Sequence, residues 1–110
     1  MLVDMTTPAI ITAVLDAVNG GDTDAFLDLF APDGAVDDWG SLYRGRDAIR
    51  TWSDRELIGV QARFALRSAE QQGDEASMMV DVGGNGFTGP SRFSFTLAGD
   101  RIHRMRITAS

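Results

Sequence analysis

The chain has 110 residues, enough for one domain of 1–110 and too few for a second, with 44% apolar and 24% charged residues, a balance that argues against disorder. It has no cysteine, which excludes disulfide frameworks, iron–sulfur clusters and thiol nucleophiles. Sixteen acids against ten bases give a net charge of −6, the wrong sign for a nucleic-acid binder, and every base is Arg, so Schiff-base and Walker-lysine chemistry are excluded too.

Residues 1–38 hold eight acids and no base, so the N-terminus lacks the positive region of a signal peptide. Its longest apolar stretch, Ala9 to Val18, is interrupted by Thr12 and Asp16 and is too short to span a bilayer. No membrane partner and a cytoplasmic location are expected. Thr7-Pro8 reads as a helix start, with Thr7 capping. Ile11, Val14, Leu15 and Val18 follow at helical spacing, and Asn19-Gly20-Gly21 ends the helix. Asp22 or Thr23 caps a shorter helix bearing Phe26, Leu29 and Phe30 and stopped at Pro32. Asp33-Gly34 turns into a brief strand, Ala35 to Asp38. Trp39-Gly40-Ser41 and Leu42-Tyr43 lead to a third helix from about Arg46 to Ile58.

From Val60 the period becomes alternating: Val60, Ala62, Phe64 and Leu66 share one face of a strand, with Gln61, Arg63 and Arg67 opposite. Glu75 to Val82, Ser91 to Leu97 and Arg101 to Thr108 are further strands, the last two joined by the turn Ala98-Gly99-Asp100. Four strands with one apolar face each must be covered by the three helices. The expected class is α+β: a curved antiparallel sheet wrapped around three N-terminal helices, a cone with a central pocket.

The strings Val18-Asn19-Gly20-Gly21-Asp22, Asp33-Gly34-Ala35-Val36, Tyr43-Arg44-Gly45-Arg46-Asp47-Ala48-Ile49, Phe93-Ser94-Phe95 and Gly99-Asp100-Arg101-Ile102 carry a resemblance over nearly the whole chain. The sequence resembles the nuclear transport factor 2-like superfamily, most of all its small bacterial ketosteroid isomerase-like and SnoaL-type polyketide cyclase-like members. The resemblance is specific for the fold and not for one activity, because the same cone hosts isomerases, hydrolases, cyclases and silent binders.

Asp38 is expected on the inward face of its strand with Val36, and the resemblance puts a proton-transferring carboxylate there; the competing reading is a strand end at a solvated turn. The resemblance also implies an oxyanion hole, yet the positions that match its tyrosine and its protonated acid are Val14 and Ser91. Without those donors a working steroid isomerase is not expected. Ile49, Trp52 and Glu56 follow i, i+3, i+7 on the third helix. Glu56 is therefore either a general acid in a dry pocket or a rim residue paired with a neighbour. His103, the only histidine, shares an alternating face with Met105 and Ile107, as a catalytic partner of Asp38 or as a satisfied core residue.

Gly84 to Gly89 spells G-x-G-x-x-G, but Pro90 and an alternating strand follow where a dinucleotide site needs a helix, so a turn or bulge at the mouth of the cone is expected. Neither cofactor nor metal is expected, since the carboxylates lack ligand grouping. Trp39 and Tyr43, placed on loops, are candidate ligand contacts. Trp52, Phe64, Phe93 and Met105 serve either as core or as pocket lining, with Val14 and Ser91 at the vacated oxyanion positions. The expectation is a pocket for a small hydrophobic molecule in a homodimer without nucleic acid. It is either a proton-transfer enzyme (isomerase, cyclase or hydrolase) using Asp38 with His103 or Glu56, or a non-catalytic binding or dimerisation module.

Overall fold

Helix α1 (Ala9–Asn19) opens the computed structural model, which describes residues 7–109. Its apolar stripe buries Ile10, Ile11, Val14, Ala17 and Val18. Thr7 does not cap it: Pro8 takes the N-cap position with extended backbone, and among the described residues no side chain accepts the first N–H groups. Helix α2 (Thr23–Asp28) does have its cap, Asp22, whose Oδ1 accepts from the Ala25 N–H at 3.0 Å.

The first strand is longer than the sequence suggests. Strand β1 (Phe30–Asp38) begins directly after α2 and loops out around Pro32-Asp33-Gly34, where its register shifts. Gly34 permits this kink, because a Cβ there would stand 2.8 Å from the Ile102 carbonyl oxygen. Strand β2 (Ser41–Arg44), α3 (Arg46–Glu56) and a single 3-10 turn (Ile58–Val60) follow. Four long strands complete the chain: β3 (Arg63–Gln72), β4 (Glu75–Gly83), β5 (Gly89–Ala98) and β6 (Arg101–Ala109).

These six strands form one sheet in the order β2-β1-β6-β5-β4-β3. The architecture is the expected α+β cone of three helices and a curved sheet, but the sheet is mixed. Strand β1 runs parallel to β6, with Val36 opposite Met105 and Asp38 opposite Ile107, while every other pair is antiparallel. Hydrophobic alternation specifies which face a residue takes and says nothing about which distant strand it joins.

Two bulges bend the sheet around α1. Arg67 is the extra residue on β3, between the pairs Leu66–Val80 and Ser68–Met79. His103 is the extra residue on β6, between Ile102 (opposite Leu97) and Arg104 (opposite Thr96). Each bulge breaks the ladder locally, increases the twist and resets the alternation beyond it. The concave face carries Met78, Val80, Phe93, Phe95, Ile102 and Met105, all buried against the helices. Trp52 is the largest fully buried side chain, 1% exposed.

One polar clamp joins the layers. The Asn19 side chain, at the end of α1, accepts from the Phe64 N–H at 2.7 Å and donates to the Phe64 carbonyl at 3.0 Å. It thus completes a ladder-like pair with a strand across the core. Replacing Asn19 by Ala leaves the Phe64 peptide without that partner, at a cost of about 1–3 kcal/mol. Trp52→Ala opens a cavity in the core and costs roughly 3–5 kcal/mol. Urea denaturation of both variants checks the order; a loss below about 1 kcal/mol for Trp52→Ala shows that its neighbours collapse into the space it leaves.

Candidate functional site

A cavity of about 210 Å³ opens at the end of the cone where β1 ends and α3 gives way to the 3-10 turn. Its lining comes from five places. Strand β1 and its turn supply Asp38 and Trp39. Helix α3 supplies Trp52 and Glu56. The segment after it supplies Leu57, Val60 and Ala62, and the concave strand faces supply Phe64, Val82, Ser91, Phe93 and Ile107. The glycine-rich loop before β5 supplies Phe87.

Asp38 is half-buried, and it owes its direction to the alternation of β1, which turns Val36 and Asp38 inward and Asp37 outward. Asp37 accepts from the Gly40 N–H at 2.8 Å and pairs with Arg106 at 3.5 Å on the far face. On the near face, the indole N–H of Trp52 donates to Asp38 Oδ2 at 3.1 Å. A buried indole N–H needs an acceptor, and this bond supplies one while fixing the carboxylate's orientation. Among the described residues no Arg or His nitrogen lies within 4.0 Å of Asp38. The second carboxylate oxygen is thus available to whatever occupies the cavity.

Trp39 and Gly40 form the two-residue turn of the β1–β2 hairpin, both with positive φ (54° and 95°), the signature of a type I′ turn. Glycine accepts that conformation freely, whereas a bulky residue there is strained. The turn presents Trp39, 67% exposed, at the cavity mouth. Across the mouth stands Phe87, 63% exposed. Its loop is anchored by the Asn85 N–H, which donates to the Val60 carbonyl at 2.9 Å. A Cβ on Gly84 would come within 2.5 Å of the Gln61 carbonyl oxygen, and one on Gly86 within 2.7 Å of Val60 Cγ2. The glycines therefore serve close packing of this loop on the segment after α3, with no helix following, at the mouth as expected.

Of the candidate residues, the cavity brings together Asp38, Glu56, Trp39, Trp52, Phe64, Ser91 and Phe93. Glu56 stands at the rim, half exposed, with Oε2 accepting from Arg55 Nε at 3.1 Å. The buried stripe of α3 runs through Ile49, Trp52 and Ser53, because the i+4 position turns further inward than i+7.

Four candidates lie elsewhere. His103 is exposed on the convex face, beside Glu75, Ser94, Thr96, Arg104 and Arg106; the bulge at its own position reverses the alternation that would have turned it inward. Val14 and Met105 are buried in the core and do not line the cavity. Tyr43 belongs to β2 instead of a loop, since the tight Trp39-Gly40 turn pairs 41–44 back onto β1. Its ring lies 6.3 Å from that of Trp52, outside the lining, and its hydroxyl accepts from Arg55 at 3.3 Å.

Sequence reasoning missed Phe87 as a pocket residue: it has no periodic partner, and its only signal is one large aromatic among glycines. Val82 and Ile107 were also missed, although both continue inward strand faces. Among the described residues no group of three His, Asp or Glu side chains converges to hold a metal ion, and no helix is long and apolar enough to cross a membrane.

Arranged this way, the cavity offers one oriented carboxylate in apolar, aromatic walls. It can accept or return a proton at a bound molecule, but among the described residues Ser91 is the only hydroxyl side chain in the lining, and no pair of side-chain donors there could form an oxyanion hole.

Solved structures share this fold. A candidate polyketide cyclase of Sinorhizobium meliloti is 30% identical, with a TM-score of 0.79 over 92% of this chain and 94% of that one. A Catenulispora acidiphila protein of ketosteroid isomerase-like fold, solved in complex with trimethylamine, is 27% identical, with a TM-score of 0.82 over 96% and 88%. A candidate ketosteroid isomerase of Kribbella flavida, at 15% identity, shares the fold alone, with a TM-score of 0.80 over 94% and 80%. No curated protein matches the chain. The model of the SnoaL-like domain matches residues 11–106, from the first turn of α1 to the middle of β6, and the chain therefore belongs to the SnoaL-like domain family of the nuclear transport factor 2-like superfamily.

Proposed function

We propose that the protein binds a small, largely hydrophobic molecule in the cavity at the end of the cone and that Asp38 transfers a proton on it, as an isomerase, cyclase or hydrolase would. The observation that carries this reading is the state of Asp38: one oxygen held by Trp52 at 3.1 Å, the other free, in a cavity of about 210 Å³. Proton transfer by a positioned side chain contributes typically 10²–10⁴-fold. The cavity is smaller than the roughly 300–1,000 Å³ of pockets for drug-sized ligands, which favours a compact substrate.

A second reading, a non-catalytic binding module, draws on the position of His103. With the only histidine on the convex face and Glu56 paired at the rim, Asp38 has no second acid or base deep in the site. The two readings part on one experiment that needs no known substrate. Small enolisable ketones incubated with the protein in heavy water gain deuterium beside the carbonyl if Asp38 abstracts a proton, read by NMR. The expected result is exchange with the wild type and a loss of about 10²-fold or more with Asp38→Asn. The melting temperature should hardly move, since the Asn carbonyl still accepts from Trp52. Equal exchange by both proteins would remove Asp38 from the chemistry. Binding without exchange would favour the module.

We also propose a homodimer formed through the convex face of the sheet. There Met79 lies among ionic groups, with Arg67 pairing Asp81 at 3.4 Å and Arg106 pairing Asp37, a mixed surface suited to a two-fold contact. Light scattering at micromolar concentration should give twice the mass of the chain. A strict monomer would refute this.

A further inference from the structure

The chemistry of the cavity walls narrows the ligand further. Of the 13 residues that line it, five are aromatic (Trp39, Trp52, Phe64, Phe87 and Phe93), two are carboxylates and none is basic. All ten arginines lie elsewhere, although one stands close by. Arg55 pairs with Glu56 at the rim, its Nε 3.1 Å from Glu56 Oε2, and the rest of its guanidinium faces Tyr43, 5.8 Å from the ring centroid and bonded to the hydroxyl. This cation at the rim thus has its partners already, Glu56 and the Tyr43 ring.

Three kinds of ligand can be weighed against such walls. An anion would meet the unpaired carboxylate of Asp38, and the one cation at the rim, Arg55, is already engaged by Glu56 and Tyr43. A neutral apolar molecule would press against the free oxygen of Asp38 and leave it desolvated without a partner, which is costly. A small organic cation satisfies both parts of the wall: its charge meets the carboxylate, and its alkyl groups and the spread of its charge suit the rings. The net charge of −6 attracts the same species from a distance.

Resting on the reading of this cavity as a ligand site with Asp38 at its centre, we infer that its ligand is an alkylated amine or quaternary ammonium ion, held between Asp38 and the aromatic walls and covered at the mouth by Trp39 and Phe87. These two are the most exposed large apolar side chains among the described residues, at 67% and 63%, and they flank the opening. A bound alkylammonium group gives both rings apolar surface to cover.

Choline and its uncharged carbon isostere, the alcohol in which a quaternary carbon replaces the nitrogen, separate charge from shape. Calorimetric titration of the intact protein should show choline binding about tenfold more tightly than the isostere. Asp38→Asn should abolish that preference by weakening choline and, with the carboxylate's desolvation gone, binding the isostere no less tightly than the wild type, and added salt should weaken choline alone in the wild type. Equal affinity for the two compounds would overturn the cation inference and leave the small-molecule reading standing. Loss of both ligands in Asp38→Asn would make Asp38 a structural group and overturn it as well. If neither compound binds the wild type, the inference fails, and titration with uncharged indole decides whether the pocket reading fails with it.

Discussion

A buried tryptophan that must satisfy its indole N–H organises this molecule. Trp52 fills the junction between α3 and the sheet, and leaving its N–H unpaired there would cost about 1–3 kcal/mol. The acceptor is Asp38, at the last inward position of β1. That single bond therefore joins the helix to the end of the strand and orients a carboxylate whose other oxygen has no partner among the described residues. Packing and chemistry meet in the same pair. Removing the carboxylate altogether would disturb the helix as well as the site, whereas an amide of the same shape separates the two roles.

Much of this was legible in the sequence, because it depends on local periodicity. The 3.6-residue recurrence of α1, the alternation of β3 to β6 and the inward direction of Asp38 follow from side-chain geometry alone. What depended on distant partners was not legible. His103 shares the parity of Met105 and Ile107, and only the mismatch between β5 and β6 turns it to the convex face. The parallel pairing of β1 with β6 likewise has no local signature. Asn19 reads as an ordinary helix-ending residue until Phe64 arrives opposite it. Phe87 carries no periodic signal at all and becomes part of the wall only because Gly84 and Gly86 let its loop press against Val60 and Gln61.

The mouth of the cavity stores conformational strain. Trp39 occupies the first central position of a type I′ turn, which Asn, Asp or Gly fill at far lower cost. A side chain held in such a backbone region costs of the order of 1–3 kcal/mol and persists only where its surroundings impose it. Here the hairpin register imposes it, through the pair of Asp38 with Ser41 and the Trp39 N–H bonded to the Ile107 carbonyl. The fold gains little buried surface from a tryptophan so exposed, and the ligand proposed above would give it a surface to cover.

The pairing of β1 with β6 also bears on how the chain reaches its native state. Strand β1 stands second from one edge of the sheet and is the first of the six to be made, whereas its partner β6 is the last of them. Until residues 101–109 exist, β1 and its short hairpin partner β2 have no sheet to join, and Trp52 has no settled acceptor. Non-local pairing of this kind slows folding, because the loop must close before the contacts reward it. The N-terminal half of the chain thus spends its synthesis with apolar strand and helix faces uncovered, the state in which a nascent chain is open to aggregation and to chaperones.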